Sequence, residues 1–219
     1  MSSNSTTLTI SRILKSTLCF FLIPILANNI TKLINNEIVS FTLSIHLSAL
    51  ILFSMNWDLV SIHYKRFKDD FNESIFFVII GVIIISILLF VNHFYFNAFS
   101  LVINKEELSQ VSFFIPLILF AYSFLFASIY IITFKCLSDR LVLKQAEITV
   151  ISSSSFIFSL LFVIIFIPFD KILWLKGYIF YFIITIILSY LYNQTKSLFT
   201  SMLAFSIALL LINTAIIFI

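Results

Sequence analysis

A chain of 219 residues that is 61% hydrophobic and 11% charged, with a mean hydropathy of +1.15, departs from a soluble domain, in which about a quarter of residues are charged and about half apolar. That much apolar surface exceeds what a core of this size hides, so a bilayer is the expected solvent. The net charge of +3 comes from basic residues scattered over short polar stretches, which gives no electrostatic footprint for nucleic acid.

The expected class is all-α: a polytopic bundle of about seven transmembrane helices in one domain, residues 1–219. A span needs roughly 20 mostly apolar residues, and seven segments meet or approach that. The first runs from about Ile13 to Ile34 behind Arg12 and Lys15, with Pro24 as a kink that neighbouring helices can satisfy. No small-x-small cleavage site follows it, so it is expected to be a retained helix rather than a signal peptide. The second runs from about Ile38 to Trp57 and is followed by a polar loop, His63 to Asp70. The third runs from about Ile75 to Val91, with an aromatic interfacial stretch to Ile103. The fourth covers about Val111 to Phe134, the fifth about Ile148 to Ile167 with Pro168 as its stop, the sixth about Tyr178 to Tyr192, and the seventh about Leu198 to Ile219.

Lys and Arg are retained on the cytoplasmic side. With the N-terminus inside, Arg12, Lys15, Lys65, Arg66, Lys68, Lys135, Arg140, Lys144 and Lys196 fall inside, and Lys32, Lys105, Lys171 and Lys176 outside. Nine against four predicts an integral membrane protein with its N-terminus inside. Trp57, Trp174, Tyr178 and Tyr190 stand near helix ends, where amphipathic rings suit the headgroup level.

Few side chains offer chemistry. Glu106 and Glu107 are adjacent carboxylates in a polar turn with Asn104 and Lys105, the setting of a solvated loop. His46 lies mid-helix near Ser44 and Ser48, and an ionisable group at membrane depth is a functional candidate; a serine or a backbone carbonyl also satisfies a neutral imidazole there. His93 and Asn97 stand four apart, on one face if helical, amid interfacial aromatics. Zinc needs three or four closely spaced ligands, and the three histidines form no such set; no cofactor is expected. Cys19 and Cys136 carry no pairing signature, and Cys19 is expected as a small buried hydrophobe. With two glycines in the chain, phosphate-cradling loops and GxxxG helix pairing are excluded.

The last third carries the most specific pattern. Arg140 follows Lys135 and Cys136. A serine run, Ser152 to Ser155, leads into Phe156, Phe158 and Phe162. Tyr192, Thr195, Ser197, Leu198 and Phe199 form a turn ahead of the last helix. In order and spacing this resembles the CPBP family of membrane proteins (CAAX proteases and bacteriocin-processing proteins, also called Abi). Its members carry a glutamate pair with an arginine, then FxxxH, then HxxxN after a Tyr-x-x-Thr-x-Ser-Leu-aromatic turn. The resemblance implies a family-like core over about 111–219.

It also implies a lost centre. Active members use the glutamates and histidines to activate a water for peptide cleavage. Here Lys135 and Cys136 occupy the glutamate positions, Phe162 follows Phe158 where the second motif has histidine, and Phe205 and Leu209 stand for the histidine and asparagine of the third. Leu141 replaces the usual glycine after Arg140. A water needs roughly 2–4 polar partners, and these replacements supply almost none. The resemblance therefore implies a catalytically inactive protein that binds a membrane or envelope protein, as a regulator or as a bacteriocin self-immunity protein. Two rivals are a divergent protease using Lys135, Cys136 or His93, and a small membrane carrier hinted at by Pro24, Pro116 and His46. Arg140 is expected to be structural, tying its segment to carbonyls or to Asp139 or Glu147.

Overall fold

The computed structural model describes residues 10–34, 37–96, 147–166 and 170–218, together with Ala127 and Tyr130. Every element among them is helical: α1 Ile10–Ile34, α2 Glu37–Met55, α3 Trp57–Asp69, α4 Phe71–Val91, a π-helical turn Asn92–Phe96, α5 Glu147–Phe166, α6 Lys171–Thr195 and α7 Leu198–Phe218. Three stretches are long and apolar enough to cross a membrane: Leu14–Ile34, Phe71–Phe94 and Lys171–Thr195. The number rises to four if the bent α2–α3 pair forms one broken span. The expected count of seven is thus met only in part among the described residues, and the fourth expected segment, 111–134, lies outside them apart from Ala127 and Tyr130.

Two expectations need correction. The polar loop from His63 to Asp70 is instead the second half of α3, set at 88° to α2. Leu59, Val60 and His63 are buried on one side while Lys65, Arg66 and Lys68 are exposed. That one-sided pattern is that of an amphipathic helix, and reading the charges alone as a loop missed it. The sixth segment starts at Lys171 rather than Tyr178. Asp170 caps it, its carboxylate accepting from the backbone N–H groups of Ile172 (2.8 Å) and Leu173 (3.0 Å), which satisfies donors left unpaired at a helix start.

Asn56 makes the corner between α2 and α3. Its side-chain amide donates to the Leu52 carbonyl at 2.8 Å and to Ser16 Oγ on α1 at 3.0 Å. Its backbone N–H donates to Phe53 O, and its own carbonyl accepts from Val60 N. One fully buried residue therefore closes α2, opens α3 and ties both to α1. Cys19 is buried on α1, as expected, beside the Met55 sulfur.

α6 is the central helix. Gly177, Phe180, Tyr181, Ile184, Leu188, Leu191 and Tyr192 recur at three- and four-residue steps and are all buried, the spacing of one helix face. α5, α4 and α7 pack around it, α4 also packs on α7, and α1 pairs with α2. The closest approach centres on Gly81 of α4. A Cβ there would sit 2.8 Å from Ala204 Cβ on α7 and 2.6 Å from Leu191 Cδ1 on α6. The sequence excluded paired-glycine packing, yet this single glycine lets three helices meet.

Candidate functional site

The four described positions of the family-like motifs are buried together in one apolar core. Phe158 and Phe162 stand four apart on α5, on the face that also buries Ser155, Ser159 and Val163. Phe205 and Leu209 stand four apart on α7, interleaved with Ala204 and Ala208, all fully buried. The Phe158 and Phe162 rings are 6.1 Å apart, and Phe162 lies 4.1 Å from the Tyr181 ring of α6. Contact distances of that order fill the space with aromatic carbon. Among the described residues, no three His, Cys, Asp or Glu side chains converge as a metal site. Lys135, Cys136, Arg140, Glu106, Glu107 and Asn97 lie outside the described residues.

A polar knot borders this core. Tyr130, fully buried, tilts against Phe158 at 5.1 Å. Its hydroxyl bonds Ser155 Oγ at 2.9 Å, Ser154 Oγ at 3.2 Å and Ser189 Oγ of α6. Ser154 and Ser155, the pair that the resemblance singled out, serve here in interhelical hydrogen bonding. Sequence reasoning missed Tyr130. Its signal was there: a tyrosine in an apolar segment needs a partner for its hydroxyl, and the serines on α5 and α6 supply three.

The turn singled out in the sequence, Tyr192 to Phe199, proves to be the seat of α3. Lys196 has a left-handed backbone, φ 49° and ψ 24°, which ends α6. Such a conformation costs a side-chain-bearing residue roughly 1–2 kcal/mol, so surrounding contacts must hold it. They do. The His63 ring donates from Nδ1–H to the Lys196 carbonyl at 3.0 Å, and Arg66 Nη1 donates to the same oxygen at 3.3 Å. Ser197 Oγ returns a hydrogen bond to the His63 carbonyl at 3.1 Å and accepts from the Phe199 N–H, capping α7. The Thr195 hydroxyl accepts from Ser197 N and meets Thr200 Oγ1. Three rings close the joint, with His63 edge-on to Tyr192 and both Tyr64 and Phe67 against Phe199.

Burial pushes the His63 imidazole down to about 4 and the Arg66 charge adds to that, while the hydrogen bond to Lys196 opposes both. The ring is therefore neutral at pH 7, with the proton fixed on Nδ1 by the carbonyl. That state suits a fixed hydrogen-bond donor. Of the other histidines, His46 is half-buried on α2, and His93 is half-buried in the π-helical turn with its ring edge-on to Phe94. Trp57 and Tyr190 are exposed.

The arrangement does two things chemically: it packs aromatic carbon around the described positions of the family-like motifs, and it latches a charged, exposed helix to the α6–α7 turn. Compared with known proteins, the chain matches no family model, no curated protein and no solved structure.

Proposed function

We propose that this chain is an integral membrane protein of the bacterial cytoplasmic membrane, N-terminus inside, built on a CPBP-like frame and acting by binding rather than by cleavage. Its partner is a membrane or envelope protein, which it regulates or, in a self-immunity role, shields from a bacteriocin. The observation that carries this reading is the burial of Phe162, Phe205 and Leu209 in one apolar core, where the resemblance calls for two histidines and an asparagine. General acid–base catalysis needs its groups within hydrogen-bond reach of a water, and phenylalanine and leucine offer none.

An exposed apolar stripe on α4 supports binding. Phe76, Ile79, Ile83, Ile87 and Phe90 are exposed at three- and four-residue steps, and helix association in lipid depends on such van der Waals surfaces. The test places a photo-crosslinking amino acid at 79, 83 and 87 in turn and irradiates native membranes. The reading expects one protein adduct common to at least two positions and absent from an α5 control at Ile157. Lipid adducts alone would sink the binding role. Cleavage of a membrane peptide by the purified chain would sink the inactive-protease reading.

A further inference from the structure

On the same face as the α3 latch lies a polar cleft of about 460 Å³, within the roughly 300–1,000 Å³ range of small-ligand sites. Its walls come from the end of α3, the start of α4 and the end of α6. Arg66 and Lys196 supply two positive charges, and Asp70 and Glu73 two negative ones. Among the described residues no ion pair joins the two sets. Asp70 precedes α4 at its N-cap position, yet its carboxylate makes no capping hydrogen bond. Ser74, one turn into α4, lines the same cleft, is fully buried, and its hydroxyl has no hydrogen-bond partner. A buried hydroxyl without a partner is costly, and this residue borders a cleft whose four charges are also uncommitted to one another.

We propose that this cleft binds a headgroup carrying both a phosphate and a primary ammonium, as in phosphatidylethanolamine. Two carboxylates disfavour a purely anionic ligand, and Arg66 with Lys196 disfavours a purely cationic one. A zwitterion answers both: its phosphate meets the guanidinium and ammonium side, and its own ammonium donates to Asp70 and Glu73. A choline headgroup fits less well. Its quaternary nitrogen has no hydrogen to donate and is recognised by aromatic cages, and among the described residues no aromatic side chain lines this cleft. The position agrees with a lipid source, since α3 is amphipathic and exposed Phe71 and Phe76 on α4 flank the acidic wall. The proposal rests on the membrane reading of the chain and is independent of the lost proteolytic centre.

The test uses the full chain in nanodiscs of phosphatidylcholine doped with phosphatidylethanolamine or phosphatidylglycerol, with retained lipid read by native mass spectrometry. Phosphatidylethanolamine should be retained about ten-fold over phosphatidylcholine, the worth of one charge-assisted hydrogen bond. D70N/E73Q should abolish that preference and leave phosphatidylglycerol binding unchanged or stronger. Competition by soluble phosphoethanolamine at equal affinity would uphold the site and assign it to a free headgroup compound. Equal retention of the two zwitterionic lipids, or the same preference in D70N/E73Q, would overturn the proposal. A peptidase activity found in the same preparation would refute the inactive-protease reading and leave this one standing.

Discussion

Two residues concentrate the packing demands of this chain. At Gly81 the neighbouring Ala204 Cβ is tied to the α7 backbone and has no rotamer to yield with. G81A should therefore cost about 1–3 kcal/mol, the usual penalty of overpacking, and G81L more; thermal unfolding in detergent would read both. Unchanged melting for G81A would mean that α4 and α7 are not held at this spacing. Tyr130 presents the opposite case, in which the hydroxyl rather than the volume matters. Y130F keeps the ring against Phe158 and strands the serine hydroxyls around it, so a loss of about 1–3 kcal/mol is expected. Restoration by S189A in the Y130F background would assign that loss to the polar knot, since removing both partners is gentler than removing one. Gly81 shows what periodicity analysis overlooks: an isolated glycine carries no motif, and its role depends on which helix faces it.

Among the elements, α3 is the most informative. Its joint with the α6–α7 turn depends on a neutral His63, whose folded-state value of about 4 lies below the ordinary 6.5. A depressed histidine is destabilised by acid. Its contribution is complete above about pH 6.5 and is lost as the pH falls toward 4, because the unfolded chain then binds the proton that the folded chain refuses. Between pH 7 and pH 5 the joint should lose about 2 kcal/mol. H63N, compared with the wild-type chain over the same window, should flatten that slope. A parallel pH dependence in both proteins would place the titrating group elsewhere. The helix itself was hidden in the sequence because it is short and charged, and the hydropathy that reveals spans penalises it. Apolar periodicity did reveal the long helices: α1, α2, α4, α5 and α7 begin within four residues of their expected starts. α6 was shortened because Lys171 and Lys176 masked its first two turns, although Asp170 signalled the cap. The Tyr192–Phe199 turn was legible as a pattern, but its engagement by His63 and Arg66 was not, since no local rule pairs residues so far apart.

For the whole molecule, the latch fixes which ends of helices share a face. Sequence charge assigns Lys65, Arg66, Lys68 and Lys196 to one side, and the His63–Lys196 hydrogen bond joins those stretches directly. α4 begins at that face and α6 ends there. In a chain without its native cysteines, single cysteines at the exposed Lys65 and Gln194 should react with an impermeant maleimide from one side of the membrane only, and from the same side. Opposite-sided reaction would break the topology. The apolar exterior of α4 and α5 requires lipid or another protein as its neighbour, and the membrane-crossing lengths of α1, α4 and α6 agree with that demand. The core positions of the family-like motifs were legible as residues, Phe158, Phe162, Phe205 and Leu209, and their common burial follows from i, i+4 spacing on two helices packed around α6.

The latch also has a consequence for biosynthesis. His63 and the carbonyl it grips are separated by 133 positions. At about 5–20 residues per second, the ribosome delivers Lys196 some 7 to 27 s after His63. Throughout that interval α3 lacks its seat, and its imidazole is open to water and to protonation. The N-terminal hairpin must therefore be held until then by the packing of α1 on α2 and by the Asn56 corner, and any chain that ends before Lys196 leaves α3 without its latch.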